Sequence, residues 1–263
     1  CLNFNVESDC VPTRSALMTG RHPIRTGALQ SVPAGLPQGI HPWEKTLPQV
    51  LKQAGYDTAM FGKWHLGDRP GRYPNDRGFD EWYGIPRTSN ETLFTQSPGF
   101  DQTVVDIPQV MEGIAGQPAK DVAEYDLVKR RLIDSELTEK SIDFMRRKAN
   151  GDKPFFLYVP LTHLHFPTLA HPDFAEKSGV GEFADSMMEM DYRVGELMDA
   201  VKALGIENNT LFIFASDNGP EFRSRHMDQW AYENGVKLHF IKPGKPTQNA
   251  WVESLNSQIR QRL

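Results

Sequence analysis

Residues 154–161, Pro-Phe-Phe-Leu-Tyr-Val-Pro-Leu, constrain the fold more than any other stretch of the chain. A continuous apolar run has no polar face to turn to water, so it reads as a strand buried on both sides. Residues 210–215, Thr-Leu-Phe-Ile-Phe-Ala, are predicted to form a second such strand. Residues 56–61 are predicted to form a shorter one, with Gly62 opening the turn after it. Helical patterns lie between the strands. Thr46 is placed to cap a helix over 47–54 that stops at Gly55. Residues 134–149 carry Leu137, Ile142, Phe144 and Met145, with basic residues near the end. Residues 183–204 put Met187, Met190, Val194, Leu197, Met198 and Val201 on one stripe, which reads as core. The class is α/β. Ligands of open α/β sheets gather beyond the carboxyl ends of the strands. Each long apolar run hands over there to polar residues: 162–167, with His163 and His165, and 216–219, with Asp217 and Asn218.

Residues 10–21 read as a helix start. Pro12 suits a first helical turn, and Gly20 suits a stop. Cys10 then falls just before the N-terminus, where backbone N–H groups favour negative charge. Arg14, one turn along, adds a fixed cation. A small nucleophile among cationic groups suits chemistry on an oxyanion ester. A buried structural cysteine beside a surface arginine is the alternative for an isolated pair. Lys63 and His65 alternate around Trp64 and so point to one side. Residues 78–84 read as a turn with packed aromatics, and 88–123 as an irregular insert beside the substrate pocket. His41 and His171 have no motif support and read as solvated.

Composition excludes several classes. A net charge of −5 gives the whole chain no preference for nucleic acid or membrane. Two cysteines, Cys1 and Cys10, provide neither a disulfide framework nor a Cys-rich zinc site. No apolar run approaches the roughly 20 residues that span a bilayer. At 263 residues the length suits one large α/β domain or two small ones. The first residue is Cys1, with no signal peptide, so the start reads as truncated and export cannot be judged.

Cys10-x-Pro12-Thr13-Arg14 followed by Leu17-Met18-Thr19-Gly20-Arg21 resembles the signature of the type I sulfatases, with Thr13 where that family usually has Ser. Gly55-Tyr56-x-Thr58-x-x-x-Gly62-Lys63-Trp64-His65-Leu66-Gly67 is similar to the family's second signature. The resemblance implies an alkaline-phosphatase-like mixed sheet between helices, here truncated at both ends. It implies oxidation of Cys10 to formylglycine by a formylglycine-generating or anaerobic sulfatase-maturing enzyme, the hydrate being the nucleophile. Arg14, Lys63 and calcium would stabilise the sulfate oxyanions. His165, followed by an aromatic and Pro as in the family, would protonate the leaving alcohol. His65 would remove the remaining hydroxyl proton. Asp217, Asn218 and modified Cys10 would ligate calcium, a thin set because the chain starts after the family's two N-terminal metal-binding aspartates. The substrate would be a sulfated small molecule or glycan, and a periplasmic or secreted location would fit.

Beyond residue 221 the resemblance changes. A sulfatase Gly-Lys-Gly-type segment is expected there and is not found. Residues 217–222 and 242–256 are similar to the integrase catalytic core of insertion-sequence transposases. In that family two aspartates and a glutamate hold two divalent ions, with 35 residues between the second Asp and the Glu. The same 35 separate Asp217 from Glu253. The first aspartate of that family is absent. Residues 222–263 carry seven basic and three acidic residues, enough for weak DNA contact or simply a solvated basic surface. The reading is a hybrid, sulfatase-like over 1–221 with a short integrase-like α/β tail over 222–263. A mobile-element insertion or an assembly error would produce it.

Overall fold

The computed structural model describes residues 6–7, 9–34, 36 and 39–217. Among these residues five strands form one mixed sheet in the order β4-β3-β2-β1-β5. They are β1 (Asp57–Lys63), β2 (Glu81–Ile85), β3 (Gln109–Ile114), β4 (Lys120–Glu124) and β5 (Phe155–Tyr158). β1 runs parallel to both β2 and β5, whereas β3 and β4 form an antiparallel extension. The helices are α1 (Cys10–Thr19), α2 (Pro23–Thr26), α3 (Leu47–Gln53), α4 (Leu127–Lys148) and α5 (Glu182–Ala203).

The period-2 alternation of the strands sorts their side chains onto two faces. Met60, Trp82, Phe156 and Tyr158 join Val11 and Met18 of α1 in one core. Ala59, Phe61, Tyr83, Ile85, Phe155 and Leu157 join Ile133, Leu137 and Phe144 of α4 in the other. α5 packs behind α4 through Leu197 and Val201. The sheet is therefore covered on both faces, but β5 is its edge strand among the described residues and all four of its residues are only half-buried, short of the full burial the apolar run predicts.

Local chemistry explains the boundaries. α3 starts with the Thr46–Gln49 capping box. α1 starts two residues before Pro12, because the Asp9 carboxylate accepts from the Cys10 N–H. Cys10 is thus the first helical residue, not the residue ahead of the helix. Gly20 closes α1 in the left-handed region at φ 65°. Gly62 lies inside β1 rather than opening a turn. A Cβ there would sit 2.1 Å from the Pro160 carbonyl oxygen, so glycine lets β1 and the segment after β5 approach.

Other expectations are corrected. Residues 78–84 supply most of β2, and 88–123 contain β3, β4 and a 3₁₀ segment at Ser89–Gln96, so neither stretch is irregular. α4 begins at Leu127, seven residues before the predicted start, because Asp126 caps it by accepting from the Lys129 N–H at 2.7 Å. Residues 210–215 form no strand, and Leu211 and Ile213 are exposed. A strand buried on both sides needs sheet neighbours, and the described residues pair nothing with this run. The stripe of α5 is only partly core. Leu197 and Val201 are buried, Met198 is exposed, and Asp185, Glu189 and Arg193 face inward instead. His41 stacks on Trp43, and the His171 N–H donates to Glu189, so neither is merely solvated.

Candidate active site

The carboxyl ends of β1, β2 and β5 converge with the start of α1. Past β1 the ladder continues: Lys63 N donates to Pro160 O at 2.9 Å, Trp64 N to Ile85 O at 2.9 Å, and His65 N to Pro86 O at 3.0 Å. These bonds hold Lys63 and His65 between the segments following β5 and β2. Both side chains are buried, as are Cys10 and Arg14.

Arg14 ties the parts together. Its Nε and Nη2 reach Asp217 Oδ2 at 2.7 and 2.5 Å. Its Nη1 donates to the Lys63 carbonyl at 2.5 Å and to the Tyr158 hydroxyl at 3.4 Å. Burial opposes the guanidinium charge, yet Asp217 overrides this and holds it protonated. Burial alone would raise the Asp217 carboxyl, but Arg14 and Lys63 outweigh it and keep that carboxyl below its ordinary value. Burial pushes the Cys10 thiol up, only partly offset by Lys63 and Arg14, so the unmodified sulfur is a poor thiolate. Its Sγ lies 3.2 Å from Asp9 Oδ1.

Lys63 lies against the Cys10 thiol, and burial followed by Arg14 lowers its pKa. No carboxylate of the described residues is in ion-pair range of its ammonium. Burial and the cations Lys63, Arg14 and Arg87 hold His65 neutral well below the ordinary histidine range. Among the described residues its Nδ1 is buried without a hydrogen-bond partner. His165 is pushed down to about 4, chiefly by burial and then by Lys63. Its Nδ1 bonds to Phe166 O at 2.8 Å, which leaves Nε2 to accept from the Thr88 hydroxyl at 3.3 Å. The electrostatic coupling of Cys10, Arg14, Lys63, His65, His165 and Asp217 marks them as one cluster.

Asn218 and Glu253 lie outside the described residues. Among the described residues no group of three or more His, Cys, Asp or Glu is arranged to hold a metal ion. Calcium takes six to eight oxygens. Here two carboxylates, Asp217 and Asp9, are offered, and Arg14 and the Cys10 N–H already occupy them. The described residues therefore do not fit calcium. They do fit an oxidised, more polar residue 10: the buried ammonium of Lys63 already faces its side chain.

Sequence reading missed Asp9, Arg87, Thr88 and Tyr158. Arg87 bonds Glu91 at 2.6 Å and Asp68 at 2.7 Å and adds to the positive field on His65. Tyr158 was hidden inside an apolar run, where its hydroxyl was the one available signal.

The fold places this cluster, with its buried cations, at the carboxyl edge of a mixed sheet. The sulfatase family model matches residues 3–254, and the chain belongs to that family. Mouse arylsulfatase G is 34% identical over 226 residues, covering 81% of this chain and 43% of that protein. Human arylsulfatase A is 38% identical over the same shares. The crystal structure of PsFucS1 sulfatase from Pseudoalteromonas sp. superposes with a TM-score of 0.73 at 28% identity, covering 81% of this chain and 46% of that one. Another, of Ps i-CgsB in complex with k-i-k-neocarrahexaose, superposes at 0.58 with 27% identity, covering 76% of this chain and 46% of that one. The chain thus spans less than half the length of these relatives. Among the described residues no helix is long and apolar enough to cross a membrane.

Proposed function

We propose that this chain carries the catalytic centre of a sulfuric ester hydrolase acting on a sulfated small molecule or sulfated glycan, with Cys10 oxidised to formylglycine by a maturing enzyme. The observation that supports this best is the convergence on Cys10 of Lys63 and Arg14, with neutral His65 in the field of the same two cations. Formylglycine, as its hydrate, supplies a hydroxyl nucleophile for sulfur. Lys63 and Arg14 hold the non-bridging sulfate oxygens, and in this dry site their charges act at low effective dielectric. Neutral His65 takes a proton from the hydroxyl of residue 10, a base role that its depressed pKa permits at neutral pH. His165 gives a proton to the departing alcohol oxygen. In the free site Lys63 helps keep His165 neutral, and the arriving sulfate ester, itself an anion, offsets that field and favours its protonation.

The test is the intact mass of the chain after co-expression with a maturing enzyme, paired with aryl sulfate hydrolysis. Loss of the Cys10 sulfur together with hydrolysis supports the reading. Modification without hydrolysis at any pH contradicts it.

The division at 221/222 belongs with a second reading, in which the tail contacts DNA. The 35-residue spacing from Asp217 to Glu253 and the basic excess beyond Phe222 favour it. Binding of the full chain to duplex DNA should then weaken steeply with salt. Absence of binding at low salt refutes it.

A further inference from the structure

A second buried polar network lies behind the first, and it clamps the segment that carries His165. Arg130 of α4 is fully buried. Its Nη1 donates to the Thr162 hydroxyl at 2.8 Å, and its Nη2 donates to the His165 carbonyl at 3.1 Å. Asp134, one turn on, pairs with Arg130 at 3.4 Å and accepts from the Thr162 N–H at 2.6 Å. Glu189 of α5 bonds His163 Nε2 at 2.9 Å and accepts from the His171 N–H at 2.7 Å. The segment 162–171 is thus pinned near both ends, with the His165 ring directed to Thr88 between them. Three of the groups that Arg130 contacts, Thr162 Oγ1, His163 Nδ1 and His165 O, lie within four consecutive residues.

We propose that Arg130 is a positioning residue for His165: by holding the Thr162 side chain and the His165 carbonyl together, it fixes where the imidazole meets the leaving-group oxygen. The proposal rests on the assignment of His165 as the acid. A displaced acid harms poor leaving groups, which need a proton, far more than good ones. General acid assistance is worth about 10²–10⁴-fold. In the matured full-length chain, Arg130→Met should therefore lower kcat for phenyl sulfate about tenfold or more beyond any loss for 4-nitrophenyl sulfate, with KM little changed. Arg130→Lys, which keeps one donor, should recover part of the difference. Thr162→Val should show the same selectivity in weaker form, and it decides the matter if Arg130→Met does not fold. Equal loss on both substrates, or none, overturns the proposal, because a merely structural role scales both alike. If the wild-type chain hydrolyses neither substrate, the sulfatase assignment is what fails. The clamp is then judged from ¹³C-histidine NMR spectra. A displaced or broadened His165 signal in Arg130→Met, with His65 unmoved, supports it, and an unmoved His165 signal overturns it.

Discussion

Two polar networks are buried a short way apart in this chain, and they are built differently. Around His163, charges are matched: Arg130 meets Asp134, and Arg193 meets Glu189 and Glu196. Glu189 also receives the His163 ring and the His171 N–H, and despite its burial these partners hold its carboxyl below the ordinary value. Around Cys10, Arg14 takes Asp217, while among the described residues Lys63 has no ion-pair partner and Nδ1 of His65 no hydrogen-bond partner. A charge-matched network rigidifies its surroundings, whereas an unmatched one stores affinity for whatever completes it; the difference lies in charge, since Arg130 Nε is also buried without a hydrogen-bond partner among the described residues. The contrast separates the two networks more clearly than burial does, since both are almost equally hidden from solvent.

Breaking the matched network should have the largest effect on folding. Glu189→Ala leaves His163 and Arg193 without their shared carboxylate and is expected to cost about 3–5 kcal/mol in denaturant titration. Lys63→Met should behave in the opposite sense. It removes a buried cation that has no ion-pair partner among the described residues, so Tm should hold or rise. The same change should lower turnover of an aryl sulfate by about 10²–10³-fold, the usual loss for one oxyanion donor. A fall in Tm matching that of Glu189→Ala would erase the distinction.

His165 adds a pH signature. The folded chain keeps it neutral down to about pH 4, while the unfolded chain protonates it near its ordinary value of 6.5. The unfolded state therefore binds more protons in this window, and stability should fall as pH drops from 6.5 towards 4. His165→Gln should flatten that part of the Tm profile, and inorganic sulfate should oppose the fall in the wild type. The smallest effect belongs to Asp9→Ala. Loss of the α1 cap should cost about 1 kcal/mol. Thiol titration should also show Cys10 ionising more readily, because Asp9 helps hold the proton on sulfur.

Much of the candidate site was legible because its residues sit in short motifs on element ends. Cys10 and Arg14 start one helix, Lys63 and His65 leave one strand, and His165 follows another. The clamp was not legible. Arg130, Asp134, Glu189 and Arg193 look in sequence like the solvated face of amphipathic helices, because helical spacing cannot say that a polar face meets another polar face. The cap at Asp126 went unread, so Arg130 fell before the predicted start of its helix. The run 211–214 misled in the other direction. Its letters state a preference for burial, but a strand also needs neighbours, and those are a property of the assembled sheet.

The most direct measurement is a titration of the full-length chain with inorganic sulfate, followed through ¹³C-labelled histidine signals. The expected result is a saturable shift of His65 and His165 with His163 unmoved, and loss of that shift in Lys63→Met. Signals of His65 and His165 that ignore sulfate, or a shift of His163 alongside them, would contradict the assignment of the residue-10 pocket as the anion site.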